Sequence, residues 1–554
     1  MSRHVLPIVL VSAAVPMTGF AQASPDAGAL RQQMEQGRNA AIPEVSAPLA
    51  SPTKPPAAQG GASVKVERFA IQGNTLLSEA SLQALLRPYV GQLLDFAGLQ
   101  AASDAVAEAY RQAGWLARVF LPPQDVSAGT ITLKIIEARF AGLRLEGDAP
   151  TRVMRAEIDA YFDAVQARDA ALSTQALDRA LMLVDDLPGV ALAGTLAPGQ
   201  TSGETALVLR TTDESAFFGN LTLDNTGARA TGSARVAFSG GFNSPGRRGE
   251  LGTLSLLHTE GSDYAAIGLR VPIGHRGLRA GVSLSDMRYR AVEGVGASLP
   301  VPVHGYSGSF VADFSYPVVR SRAKNVYLTA SVSDKSFRNA DQVLRSDYTS
   351  QVLTWGLNAN SFDGLGGGGA NSGSLQWTVG QLSEVNAHAD IDVIPRRFHK
   401  ISYSLSRQQN IAKGQSLWLS WDGQVANQTL DSSEKFYLGG AQSVRAYPAS
   451  ELSGDRGQLL SAEWRWRVAS QWSLSAFVDL GRVETLPMFA GDSPSRQSLR
   501  GRGLSASWQG TGGMVSKLTW SRRNGSNPQP TSAGTDSDGT LKPDRWWFSA
   551  GWSF

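Results

Sequence analysis

Catalysis would have to come from histidine, serine and carboxylate patterns. The chain carries six histidines: His4, His258, His275, His304, His388 and His399. None forms an H-E-x-x-H pair, which excludes a zinc-protease helix. There is no Gly-x-Ser-x-Gly elbow and no G-x-x-x-x-G-K-S/T phosphate loop. His388 and Asp390 are close in sequence, but they sit in a polar stretch where chance proximity explains them. Cysteine is absent from the 554 residues, excluding a disulfide framework and cysteine-ligated metals. The expectation is a chain that is not an enzyme and uses no metal or other cofactor.

Two other motifs stand out by position. The longest candidate loop, between Val425 and Leu459, holds Phe436-Tyr437-Leu438-Gly439-Gly440 and then Ser443-Val444-Arg445-Ala446-Tyr447. Two candidate strands later comes Phe477-Val478-Asp479-Leu480-Gly481. Each motif carries one charge among apolar and small residues. Alone, such an arginine and aspartate read as two solvated surface groups.

The elements that hold these motifs follow from composition and periodicity. Charged residues are 18% of the chain, against about a quarter in typical domains. Glycine (58) and tryptophan (13) are abundant, and the net charge of +3 argues against a nucleic-acid partner. No apolar run of about 18 residues follows the N-terminus, which excludes a helical membrane protein. From residue 217 onward, sixteen segments read as strands, near 217–226, 231–242, 249–259, 262–272, 277–290, 306–317, 325–337, 347–361, 371–383, 396–409, 414–426, 457–468, 471–484, 501–510, 513–523 and 544–554. Each is about ten residues, enough to cross a bilayer as a tilted strand. Leu417, Leu419, Trp421 and Val425 alternate with Ser416, Ser420, Asp422 and Gln424. Trp464 and Trp466 alternate with Arg465 and Arg467, and Leu474, Val478 and Leu480 with Phe477, Asp479 and Gly481. An apolar outer face and a polar inner face predict a closed antiparallel barrel in an outer membrane, with lipid and lipopolysaccharide as surroundings.

The preceding residues divide into smaller units. Residues 1–23 read as a secretory signal, with Arg3 and His4 before an apolar run and Ala21-Gln22-Ala23 as the cleavage site. Residues 24–40 predict a polar helix about 22 Å long, capped by Ser24, with Leu30 and Met34 to bury. Residues 41–63 form a proline-stiffened linker. Residues 64–139 and 140–216 each read β-α-α-β-β, a tandem module of about 75 residues.

With these pieces assembled, the chain resembles the transporters of two-partner secretion, the TpsB family of haemolysin and filamentous-haemagglutinin exporters in the BamA superfamily. Val444-Arg445-Ala446-Tyr447 matches the tip of the family's in-folded loop, expected at about 430–456. Phe477, Asp479 and Gly481 match its lumen-facing strand motif. Gln72-Gly73-Asn74-Thr75, Leu121-Pro122-Pro123-Gln124 and Asp186-Leu187-Pro188-Gly189 match smaller motifs of the two POTRA modules. The resemblance implies a 16-stranded outer-membrane barrel, two periplasmic POTRA domains and an N-terminal plug helix. It implies a salt bridge between Arg445 and Asp479, and a barrel-assembly signal at Phe554 read by the barrel assembly machinery. The implied function is ATP-independent export of one large β-helical partner protein, of adhesin or haemolysin type; the alternative is a BamA-like insertase. The family's tip glycine is Ala446 here. If that position required positive φ, alanine would cost about 1–2 kcal/mol.

Overall fold

The computed structural model describes residues 26–36, 63–292, 303–340, 345–386, 395–487 and 493–554. The expected signal segment, nearly all of the expected linker, and His388 with Asp390 lie outside the described residues.

Helix α1 spans Ala27–Gln36. Ser24 lies outside the described residues, and Asp26 caps the helix: its carboxylate accepts from the Ala29 amide at 2.8 Å. The ten described residues make a rod of about 15 Å, shorter than the expected helix.

The first module contains β1 (Arg68–Gln72), α2 (Glu79–Leu86), α3 (Phe96–Gln112), β2 (Ala117–Phe120) and β3 (Thr130–Glu137). Its sheet order is β1-β3-β2, with β1 parallel to β3. The module's first stretch is two short strand segments and not one. Val64–Lys65 pairs with Leu93–Leu94, and the Glu67 amide turns to the Gly129 carbonyl before β1 begins. Leu82 and Leu86 from α2 pack with Leu99, Ala102, Val106 and Tyr110 from α3 over Phe69, Ile131 and Leu133. Leu85, on the same helix, is exposed.

The second module repeats the plan with β4 (Arg139–Leu145), α4 (Arg155–Asp163), α5 (Thr174–Asp185), β5 (Val190–Pro198) and β6 (Glu204–Asp213), in sheet order β4-β6-β5. The repeat extends to a shared latch. In the first module Glu137 accepts from the Thr75 and Leu76 amides at 2.7 and 2.8 Å and from the Tyr110 hydroxyl at 2.8 Å. In the second, Asp213 accepts from the Thr151 amide at 3.0 Å and from its hydroxyl at 2.5 Å. Both latches join residues 62 apart. Partial burial pushes the Glu137 carboxyl up, but these hydrogen bonds outweigh it and hold the group below its ordinary range. The latch explains Thr75 of the Gln72–Thr75 motif: it closes the turn between β1 and α2.

The remaining strands form one closed sheet. They are β7 (Phe217–Asp224), β8 (Arg235–Asn243), β9 (Leu251–Thr259), β10 (Ser262–Ile273), β11 (Leu278–Arg290), β12 (His304–Arg320), β13 (Lys324–Ala340) and β14 (Arg345–Asp363). They continue as β15 (Gly369–Asn386), β16 (Arg397–Ala412), β17 (Gln415–Ala426), β18 (Arg456–Arg467), β19 (Trp472–Thr485), β20 (Ser495–Gln509), β21 (Met514–Arg523) and β22 (Asp544–Ser553). Neighbours pair antiparallel, and β22 returns to β7 to close a 16-stranded barrel. Strands β12 to β16 run 16 to 19 residues, longer than the ten or so needed to cross a bilayer. Their extra length is charged and polar, as where Arg338 faces Asp347, so it extends beyond an apolar band. The outward residues Leu419, Trp421, Trp464, Val478, Leu480, Trp546 and Phe548 are exposed, whereas the inward Ser420, Glu463, Phe477, Asp479 and Trp547 are buried. In water such an apolar surface would be a liability; around a barrel it faces lipid.

Candidate functional site: a loop locked across the lumen

Between β17 and β18 the chain turns back into the barrel. Its root is a single turn, Ser432–Glu434, and its two arms pair briefly through Phe436–Leu438 and Leu452–Gly454. At the root, buried Glu434 receives Lys335 of β13 at 3.0 Å and Lys400 of β16 at 2.7 Å. Gln424 of β17 donates to the Glu434 carbonyl at 2.9 Å. Asp455 closes the arms by accepting from the Leu430 and Leu486 amides at 2.8 and 2.7 Å.

The tip lies against β18 to β22. Arg445 donates to Asp479 through Nε at 2.9 Å and through a terminal nitrogen at 2.8 Å, and its backbone amide adds a contact at 3.2 Å. Its other terminal nitrogen reaches Glu463 at 2.7 Å. Ser461 also donates to Asp479, at 3.0 Å. The guanidinium lies 3.3 Å from the centre of the Phe477 ring. The Arg445 carbonyl accepts from the Ser521 hydroxyl at 2.6 Å and the Trp547 indole at 2.7 Å. Asp479 is fully buried and Arg445 nearly so. One guanidinium therefore bridges two carboxylates on adjacent strands, the fork geometry that arginine supplies and lysine does not.

The flanking motif residues make room for the tip. Val444, Ala446 and Tyr447 are buried with Leu438, Leu452 and Leu499. A Cβ at Gly481 would lie 2.7 Å from Leu438 and 2.8 Å from Val444, so a side chain there would have to push these two loop residues aside. The Ala446 methyl occupies the equivalent gap beside Gly501, at 2.7 Å from where a Cβ would stand. Ala446 is not among the residues with positive φ, so alanine carries no backbone strain at the tip.

Glu463 and the root residues Lys335, Lys400 and Glu434 were missed by sequence reasoning. Glu463 left a trace, two positions before Arg465 on the polar face of β18. The last loop adds a further clamp that left none: Ser537 donates to Glu451 at 3.0 Å through its amide, and Asp536 binds Arg523 and Arg545 at 2.8 and 3.1 Å.

Helix α1 lies in the lumen between the loop root and the opposite wall. Ala27 donates to Asn339 at 2.9 Å, Arg31 to Ser285 at 2.8 Å and Gln32 to the Lys435 carbonyl at 2.6 Å. Ser432 donates to Asp26 at 2.8 Å. Ala27 and Leu30 are buried among Tyr264, Met287, Tyr289, Phe337 and Tyr348, while Met34 is only partly buried against them.

On the opposite end of the barrel, the second module docks on the turns through the Asp186–Gly189 motif. Asp186 takes the two-pronged Arg320 at 2.7 and 2.8 Å, and Pro188 offers its carbonyl to Ser244. Phe554 caps the closing seam, exchanging two backbone hydrogen bonds of 3.0 Å with Gly219, and its ring is exposed.

A family model described as "Haemolysin secretion/activation protein ShlB/FhaC/HecB" matches residues 203–505. The chain belongs to this family. A second model, the ShlB-type POTRA domain, matches residues 64–138. The chain is 25% identical over 460 residues to the heme/hemopexin transporter protein HuxB of Haemophilus influenzae strain 86-028NP, covering 80% of each. It is 26% identical to the outer membrane transporter CdiB of Escherichia coli O6:K15:H31, covering 80% of this chain and 77% of that one. The solved structure of CdiB from Escherichia coli shares the fold, with a TM-score of 0.71 at 21% identity and 95% of both chains covered. Membership makes this chain an outer-membrane transporter of the two-partner secretion type, its POTRA modules on the periplasmic side, that secretes a partner protein through its barrel.

Proposed function

We propose that the chain threads one large, unfolded β-helical partner from the periplasm to the cell exterior, and that the Arg445–Asp479–Glu463 bridge holds the in-folded loop in its working position. The observation that carries this reading is the bridge: a charged loop tip buried inside the barrel against Glu463 of β18 and Asp479 of β19. The POTRA modules hold the incoming chain by adding its backbone to an exposed sheet edge, which grips without reading sequence. No phosphate-binding loop is present, so the driving force is the partner folding outside. Helix α1 is the resting plug. Its contacts with the wall are separate hydrogen bonds and a small apolar patch at Ala27 and Leu30, which suits a part that must leave.

Phe554 serves as the signal for the barrel assembly machinery; its exposed aromatic ring at the free end of the closing strand supports that role. The test of the transport reading is Arg445→Ala, co-expressed with the large exported β-helical protein that the parent chain secretes. A closed barrel, seen by heat-modifiable migration, with partner secretion lost is expected. Undiminished secretion removes the bridge from the mechanism.

A further inference from the structure

The outside of the barrel carries an unbalanced cationic patch at the extracellular ends of β18 to β21. Register and burial place it. Along β20, Leu499, Gly501, Gly503 and Ser505 are buried inward, so Arg496, Arg500, Arg502 and Leu504 point out. Arg502 is paired with Val478 of β19 and with Arg522 of β21, and Arg500 with Leu480. Arg482, two residues beyond Leu480, is on the same outward face. Directly paired residues share a face about 5 Å apart, and alternate residues on one strand repeat at about 7 Å. Val478 stands level with Arg502, and below it the same strands present Leu504, Trp520 and Leu474 to the lipid.

Few carboxylates answer these arginines. Glu484 takes Arg496 at 2.6 Å and Arg456 at 3.3 Å, and Asp544 takes Arg522 at 3.5 Å. Arg500 and Arg502 form no ion pair among the described residues, although both are exposed. The far side of the same rim differs. There Asp347 receives both Arg338 and Arg345, at 3.2 and 2.9 Å, and Arg288 has Asp286 at 3.6 Å. Outward guanidiniums at the edge of an apolar band are costly unless they meet headgroups, and a guanidinium fork matches a phosphate.

We propose that this face binds the phosphorylated headgroup of an outer-leaflet glycolipid, with Arg500 and Arg502 as phosphate ligands and Arg482 and Arg522 flanking them. The strand ends fix the leaflet. The POTRA modules precede β7 on the periplasmic side, so the β19–β20 and β21–β22 connections face outward.

The test uses the full chain in phosphatidylcholine nanodiscs, with bis-phosphorylated lipid A, dephosphorylated lipid A or inorganic phosphate as probe, and native mass spectrometry as readout. Heat-modifiable migration verifies a closed barrel in each variant. The parent chain should retain bis-phosphorylated lipid A about tenfold more strongly than the dephosphorylated form, and the Arg500→Gln/Arg502→Gln pair should lose that preference. Arg288→Gln, on the balanced far side of the rim, should keep it. Equal retention of both lipids, or an unchanged double variant, overturns the proposal. Displacement of the lipid by inorganic phosphate alone reduces the patch to a general anion site and overturns it too.

Discussion

On the β18 to β22 wall, the loop tip is held by one guanidinium shared between two buried carboxylates. On the facing wall, α1 is held by separate hydrogen bonds to an amide and a hydroxyl, with one more to a carbonyl of the loop and with Ala27 and Leu30 as its buried apolar groups. The two attachments fail differently. Each of these hydrogen bonds contributes about 1 kcal/mol, or about 1.5–3 kcal/mol where the charged Arg31 donates, and can be exchanged for water in turn. A buried charge cluster loses about 3–5 kcal/mol when one partner goes, because the remaining charge is stranded. The helix can therefore peel away stepwise while the tip stays locked. The loop root meets the helix as well, since Ser432 touches α1 and Glu434, two residues on, is bound to Lys335 and Lys400.

The largest effect is expected at the centre of the bridge. Asp479 accepts from the Arg445 amide and two of its side-chain nitrogens, and from Ser461, whereas Glu463 takes Arg445 once and Arg465 once. Asp479→Asn should cost about 3–5 kcal/mol at the tip, and Glu463→Gln about 1.5–3 kcal/mol. Limited proteolysis of the loop in detergent reads this directly: cleavage should be fast in Asp479→Asn, intermediate in Glu463→Gln and slow in the parent. The reverse ranking would mean that Glu463 is the principal anchor.

This wall also marks the limit of what the residues disclose. Sixteen strands were legible, because each alternates apolar and polar residues across the lipid band. Their ends were not, because beyond that band both faces are polar and the contrast disappears, as at Arg338 and Asp347. The tandem modules were legible from helical spacing, while the kink at Val66 depends on backbone bonds to Gln92 and Gly91 that no side chain announces. In the site, the residues of both motifs could be named, but their pairing came from family likeness, since Arg445 and Asp479 are 34 positions apart. Lys335 and Lys400 sit on nonadjacent strands and meet only at Glu434, so only three dimensions reveal them.

A smaller effect is expected on the helix side. A Cβ at Gly28 would stand 2.6 Å from the Ser432 hydroxyl and 2.7 Å from the Ser433 amide nitrogen, which is backbone and cannot swing aside. Gly28→Ala therefore pits two terms against each other. Alanine favours the helix itself by about 0.8–1 kcal/mol, whereas overpacking costs about 1–3 kcal/mol. Displacement should win, and single-channel conductance in planar bilayers should rise although the helix is intrinsically more stable. A fall in conductance would mean that α1 and the root are not in close contact in the membrane.

The smallest effect sharpens the account of the tip. The family glycine is alanine here, and Ala446 sits at ordinary φ with its methyl against Gly501. Restoring glycine should therefore weaken the loop instead of relaxing it. Ala446→Gly adds freedom to the unlocked state, a loss of about 0.4–1 kcal/mol, and leaves the space beside Gly501 empty. Loop proteolysis should become a few-fold faster, with secretion nearly unchanged because Arg445, Asp479 and Glu463 are intact. A slower cleavage in Ala446→Gly would show that alanine strains the tip after all, and would shift the weight of the lock from the backbone turn to the charge bridge alone.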